Sequence, residues 1–312
     1  MVISPASPLI MTKALFSTTP LIESFILSKK SGRKIFLKLD NLQPSGSFKM
    51  RGISALCQHI VDNGGRHVIS SSGGNAGYTA AYVANQLGVK ATVFVPTPTS
   101  DNVVEKLHEV NAEVVKHGRV WQEAHDAAME FQKSHGGELI HPFDNPVIWK
   151  GHSSMIDEAS QQISKPDAIL LTVGGGGLLA GVAMGLSANN WDDVPILAIE
   201  TLGADSLAQA MAAGKPVRLK EITSIAKTLG ANQVCDEAFR VTKEYKVKSV
   251  VVTDDQAVSA CKSFANDHRF IVEPACGAAL SLIYSNHDAM KNYKSLMVVV
   301  CGGVGYTAKD LV

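Results

Sequence analysis

Residues 168–186 read AILLTVGGGGLLAGVAMGL, a run without a single charge and about as long as a membrane span. Its centre decides what it is. Gly174, Gly175, Gly176 and Gly177 interrupt it, and a lipid-spanning helix has no use for four consecutive glycines. The residues ahead of them form a short, apolar, β-branched run, as a buried strand does; those after them are helix-forming Leu, Ala and Met. The stretch therefore reads as strand, glycine turn and helix at the buried centre of an α/β sheet.

Working outward, the same alternation recurs. Short apolar runs at 35–39, 67–71, 91–95, 168–173, 196–199, 249–252 and 297–300 are each bounded by turn residues. Between them lie helical patterns at 53–60, 78–87 (closed by Gly88), 102–110, 121–133, 148–163, 178–187, 206–213 and 254–266. Strands alternating with helices predict a largely parallel sheet covered on both faces, with ligands at the carboxyl ends of the strands. The two prolines of HPFDNP (141–146) mark a domain seam.

The 312 residues suffice for one large or two modest domains. Lys+Arg and Asp+Glu both number 29, so no basic excess points to nucleic acid. At 46% hydrophobic and 19% charged, the composition is that of a folded soluble chain. Its cysteines (Cys57, Cys235, Cys261, Cys276, Cys301) are odd in number and form no CxxC, which favours a reducing, cytoplasmic setting. The N-terminal MVISPASPLIMTK lacks a basic segment ahead of its apolar one and does not read as a secretion signal.

Four loops after strands carry candidate chemistry. In SGSFKMRG (45–52), Lys49 follows Phe48 and opens an apolar helix, where lost solvation lowers an amine pKa as a nucleophile requires; a lone lysine is more often a solvated surface residue. In SSSGGNAG (70–77), small residues at a helix start suit a carboxylate; a plain glycine turn would explain the glycines but not three serines and Asn75 together. The tetraglycine suits a phosphate dianion, yet Gly175, Gly177 and Ala180 also fit GxGxxA, with Glu200 where a ribose-binding acid would stand. Cys301, at the end of an apolar strand, is either inert packing or a thiol aimed at a ligand over the sheet.

Six segments in order, SGSFKMRG, SSSGGNAG, TVGGGGLLAG (172–181), IETLGADS (199–206), EPACGAAL (273–280) and VVVCGG (298–303), resemble the fold-type II pyridoxal-phosphate (PLP) enzymes, and within them the L-serine/L-threonine dehydratase branch. The resemblance runs from about residue 10 to residue 306 and decides against a dinucleotide. It implies an α/β architecture of two domains with largely parallel twisted sheets flanked by helices and PLP in the cleft between them. Residues 1–42 with 145–312 would form the large catalytic domain and 43–144 the small one. Lys49 would be the Schiff-base lysine and the base at Cα; Phe48 would pack on the ring. Asn75 would hydrogen-bond the ring 3-oxygen, Gly174 to Gly177 would hold the phosphate, and Cys301 would face the pyridine nitrogen. Ser72, Gly73, Asn75 and Ala76 would receive the substrate carboxylate. Glu200 with the carbonyls of Gly174, Ala204, Leu229 and Ala231 would form a monovalent-cation site of potassium size. Glu200 could otherwise be only a strand-end surface acid.

The implied reaction is β-elimination of water from L-serine or L-threonine, giving pyruvate or 2-oxobutanoate plus ammonia, by a homodimer. A thiol opposite the ring nitrogen stabilises a positive charge poorly, so the ring is a weaker electron sink and the β-hydroxyl is expelled. Serine racemase is the rival on the same scaffold; it places a serine where Gly73 stands. A non-catalytic PLP or amino-acid binding protein is the rival of another class, against which the intact Lys49 and Asn75 argue. Only six residues follow Tyr306, so no regulatory domain of the biosynthetic threonine deaminases is expected.

Overall fold

The charge-free stretch divides at its glycines, into the fully buried strand Ala168–Thr172 and the helix Gly177–Ala188. The structure, a computed structural model, describes residues 14–311; the reading of residues 1–13 as lacking a secretion signal lies outside that range. Among the described residues no helix is long and apolar enough to cross a membrane.

The strands are β1 (Leu21–Glu23), β2 (Lys34–Lys38), β3 (His67–Ser70), β4 (Lys90–Val95), β5 (Glu113–Lys116), β6 (Glu138–Leu139), β7 (Ala168–Thr172), β8 (Ile196–Thr201), β9 (Val247–Val252) and β10 (Ser295–Val299). They form a six-stranded sheet in the order β1-β2-β10-β7-β8-β9 and a four-stranded sheet in the order β5-β4-β3-β6. β1 pairs antiparallel with β2, and all other neighbours are parallel. Because β7 and β10 are adjacent at the centre of the larger sheet, the loops carrying the tetraglycine and Cys301 emerge side by side.

The predicted strands and helices are all present, several extended by a few residues. Six elements had no clear pattern in the sequence. β1 is a mostly exposed edge, β6 has two residues, and β5 is bounded by charges. The helices Phe25–Ser31 and Asp236–Glu244 are short, and each buries only two residues. The helix Pro274–Tyr284 fails in the opposite way. Everything from Pro274 to Ile283 is buried, so no polar face reveals its period.

A buried ionic cluster ties the elements together. Arg51 and Asp40 are fully buried and pair at 2.7 Å. Arg51 also meets Glu158, on the helix Pro146–Gln162, at 2.7 Å, and Lys38 at the end of β2 meets the same carboxylate at 2.6 Å. Burial pushes the Arg51 guanidinium down, but Asp40 and Glu158 outweigh it and hold its pKa above the ordinary value. The cluster fixes the start of the helix Lys49–Asp62, and with it Lys49, against the larger sheet.

Candidate active site

The loop before the helix Lys49–Asp62 runs alongside the loop after β10. Phe48 donates its N–H to the Cys301 carbonyl at 3.0 Å, and Gly303 donates to the Gly46 carbonyl at 2.9 Å. Lys49 is delivered between them. Its Nζ donates to the Pro142 carbonyl at 2.6 Å and lies 5.1 Å from the centre of the Phe48 ring. Burial lowers the amine from an ordinary 10.5 to about 8, with the Cys301 and Cys235 thiols acting in the opposite sense.

Around that amine the titratable groups stay uncharged. Burial, aided by His125 and Lys49, lowers His141 to about 4, and its Nδ1 accepts the Asp144 N–H at 2.7 Å. His152, fully buried with its ring 5.0 Å from that of Phe48, is pushed well below the usual range by burial and by Lys49 and Arg51. Cys301 is buried 3.8 Å from Thr172 Oγ1, and the neighbouring Cys276 together with burial raises it well above an ordinary thiol. It is therefore a neutral S–H at neutral pH.

The tetraglycine enters the helix Gly177–Ala188 through Gly176, whose φ of +94° lies in the left-handed region. A Cβ there would sit 2.3 Å from the Ala238 Cβ, and one on Gly175 would sit 2.3 Å from the Phe143 ring. Only glycines admit both neighbours. The amides of Gly174, Gly175 and Gly176 donate to no protein acceptor among the described residues. Unpaired donors at a helix start are what an anionic phosphate requires.

The loop after β3 presents Ser72, Gly73, Asn75 and Ala76 at the start of the helix Asn75–Gln86. Ser72 Oγ accepts the Gly74 N–H at 3.3 Å, and Ser71 Oγ meets His125 Nδ1 at 2.8 Å. Asn75 is buried; its Nδ2 donates to Glu273 at 3.0 Å and its Oδ1 accepts the Val304 N–H at 2.9 Å. A Cβ on Gly73 would meet Val95, Val103 and Thr99, the nearest at 3.1 Å, so that position faces an apolar wall.

Glu200 is fully buried at the end of β8, not on the surface. Its two oxygens accept the N–H groups of Leu207 and Ala208, each at 2.8 Å, anchoring the helix Ser206–Ala213. Burial raises the carboxyl to about 8, with those two N–H groups pulling the other way. Ala204 and Leu229 pack in one small buried cluster, and Gly174 backs onto the Leu229 backbone. The Leu229 carbonyl accepts the Ala231 N–H at 2.8 Å.

A lysine beside Phe48, amides without a protein acceptor and a neutral thiol at the neighbouring strand end are a set that suits a phosphorylated cofactor able to condense with an amine. The chain belongs to the pyridoxal-phosphate dependent enzyme family, whose model matches residues 13–302. Among known proteins, it is 47% identical over 302 residues to a human serine dehydratase-like protein, covering 94% of this chain and 92% of that one. It is 45% identical over 309 residues to the mouse L-serine dehydratase/L-threonine deaminase, covering 96% and 94%. Among solved structures, the L-serine ammonia-lyase of the fungus Rhizomucor miehei superposes with a TM-score of 0.92 at 34% identity, covering 96% of this chain and 98% of that one.

Motif and spacing alone assign no role to Phe143, His141, His152 or Glu273. Phe143 and His141 lie in the HPFDNP stretch, whose prolines suggest only a seam. Glu273 stands inside EPACGAAL, where an acid ahead of a helix-opening proline is the available signal.

Proposed function

We propose that this chain is a PLP-dependent L-serine/L-threonine ammonia-lyase, converting L-serine and/or L-threonine to pyruvate or 2-oxobutanoate plus ammonia. The observation that carries the reading is the placement of the Lys49 amine beside the Phe48 ring and the Cys301 loop, next to a tetraglycine turn whose amides meet no protein acceptor among the described residues; burial also lowers the amine, which brings its neutral form within reach. The mouse and fungal relatives support the substrate class.

PLP, when bound, supplies the electron sink for the carbon bearing the amino group. Lys49 would anchor it and take the proton from that carbon. Phe48 would pack on the ring, and the amides of Gly174, Gly175, Gly176 and Gly177 would hold the phosphate. Asn75 would donate to the 3-oxygen. Cys301 would lie at the ring nitrogen with an S–H that cannot balance a full positive charge there. Ser72, Gly73, Asn75 and Ala76 would receive the substrate carboxylate. A 2-oxo-acid assay across β-hydroxy and β-substituted amino acids tests this. Turnover is expected with L-serine, L-threonine or both, and its absence with both overturns the assignment.

Four further points belong to the same proposal. Glu200 and the carbonyls of Gly174, Ala204, Leu229 and Ala231 would hold a potassium-sized cation, since one carboxylate among carbonyls suits a large, weakly charged ion. Rates measured in potassium, sodium and a bulky organic cation should differ, and equal rates remove the site. Residues 43–144 form the smaller of two domains, a division supported by a four-stranded sheet built only from β3, β4, β5 and β6. The enzyme works as a homodimer, for which light scattering is the test. It resides in the cytoplasm, supported by five cysteines that are all free and buried thiols.

A further inference from the structure

Glu273 has no part in the proposed reaction, yet the residue is only 4% exposed and donors from three places converge on it. Oε2 accepts from Asn75 Nδ2 at 3.0 Å and from Thr228 Oγ1 at 2.8 Å; Oε1 accepts the Gly305 N–H at 2.8 Å. The donors belong to the start of the helix Asn75–Gln86, the turn Lys227–Leu229 and the loop after β10. That loop approaches so closely that a Cβ on Gly303 would lie 2.0 Å from the Glu273 carboxyl carbon. Asn75 Oδ1 accepts the Val304 N–H at 2.9 Å. A side-chain amide has one oxygen and two N–H groups. With the oxygen and one N–H engaged, a single Nδ2 N–H remains.

We infer that Glu273 is a positioning residue: by holding Asn75 Nδ2 it fixes the amide so that Asn75 meets the cofactor only as a donor to its 3-oxygen. The inference rests on the proposed cofactor site and extends it by one residue. The two ends of an asparagine amide are nearly the same shape, so only hydrogen bonds decide which way it faces. A turned-over Asn75 would set its oxygen against the Glu273 carboxylate and its NH₂ against the Val304 N–H, mismatched at both ends. A carboxylate accepts from all three donors at once. A glutamine in its place cannot. With its oxygen toward Gly305, its NH₂ opposes Asn75 and favours the turned-over amide. With its oxygen toward Asn75, its NH₂ opposes the Gly305 N–H and loosens the loop that follows Cys301.

The test uses PLP-loaded wild type, Glu273→Gln, Asn75→Ala and the double variant, measuring the absorption of the bound cofactor, PLP affinity by titration, and kcat and KM for L-serine. In Glu273→Gln the affinity should weaken roughly ten- to a hundredfold, the range of a hydrogen bond to a charged group. The long-wavelength band should give way to the shorter-wavelength one of a protonated 3-oxygen, and kcat should fall more than KM changes. In the Asn75→Ala background, Glu273→Gln should add no further spectral change, because no amide is left to orient. A wild-type-like spectrum and affinity in Glu273→Gln, or an equal added change in the Asn75→Ala background, overturns the role. Should Glu273→Gln not fold, Glu273→Asp withdraws the oxygens from Asn75 by one methylene, and the same criteria apply to it. Wild type lacking both cofactor absorption and 2-oxo-acid formation would instead overturn the cofactor reading itself.

Discussion

At the scale of single residues, Lys49 carries the heaviest demand, because the cofactor anchor and the base are one nitrogen. Lys49→Ala should abolish both the visible absorption of bound PLP and turnover; more than a trace of elimination in that variant would contradict the assignment. The amine at about 8 also sets a pH dependence. Only the unprotonated amine condenses, and its fraction grows as pH rises. After PLP is stripped with a carbonyl reagent, reloading should therefore accelerate with pH and level off above about 8, not near the 10.5 of an ordinary lysine. A rate still climbing steeply beyond that point would place the amine in water. Gly73 offers no proton donor, so wild type should form essentially no D-serine from L-serine, read by chiral chromatography after partial turnover. Gly73→Ser should show a trace of D-serine and a larger loss of dehydration. Its Cβ is aimed at Val95 at 3.1 Å, so the Val95 side chain must give way slightly to accommodate it. Wild-type racemisation as fast as pyruvate formation would favour a racemase.

At the scale of elements, the strand–glycine–helix unit from β7 to Gly177–Ala188 was legible because two signals agree there: the loss of charge and the break in periodicity. Which glycine is indispensable was not legible, since four in a row look alike. Gly176 combines a left-handed φ with an approach to Ala238. Gly176→Ala should cost about 2–4 kcal/mol, joining backbone strain to overpacking, and should weaken PLP binding as well. Urea unfolding of the PLP-free protein isolates the first effect; a midpoint equal to wild type would show that the turn relaxes freely. The helix Pro274–Tyr284 shows the limit of periodicity. It packs on β7, β8 and β10 and is buried all round, so its sequence differs little from that of a buried strand.

At the scale of the whole molecule, the Arg51 cluster spans residues far apart in the chain, from Thr19 and Asp40 to Glu158. Arg51→Met should leave Asp40 buried without its partner and destabilise the protein by about 3–5 kcal/mol in urea unfolding. A loss under about 1 kcal/mol would mean that water replaces the guanidinium. The cluster also gives an acid limb. Burial raises the Glu158 carboxyl, but Arg51 and Lys38 outweigh it and leave it below the ordinary value. A carboxyl depressed in the folded state contributes stability that is complete above its unfolded pKa and is lost as pH falls through the folded one. Glu158→Gln should therefore flatten the fall of melting temperature in acid; an unchanged slope would remove Glu158 from it.

The sequence by itself determined the alternation of strands and helices, the parallel α/β class and the loops that hold Lys49, Asn75, the tetraglycine and Cys301. Those signals are local: each depends on the spacing or type of residues a few positions apart. Tertiary structure decided what residue spacing could not, that β7 and β10 are neighbours, so that the loops of the tetraglycine and Cys301 emerge side by side. It also decided that Glu200 is a buried helix anchor and that Glu273 reaches Asn75, although 198 positions separate them in the chain. Such pairings are set by sheet order and by the need to satisfy every buried charge, and neither is written in the spacing of any one segment.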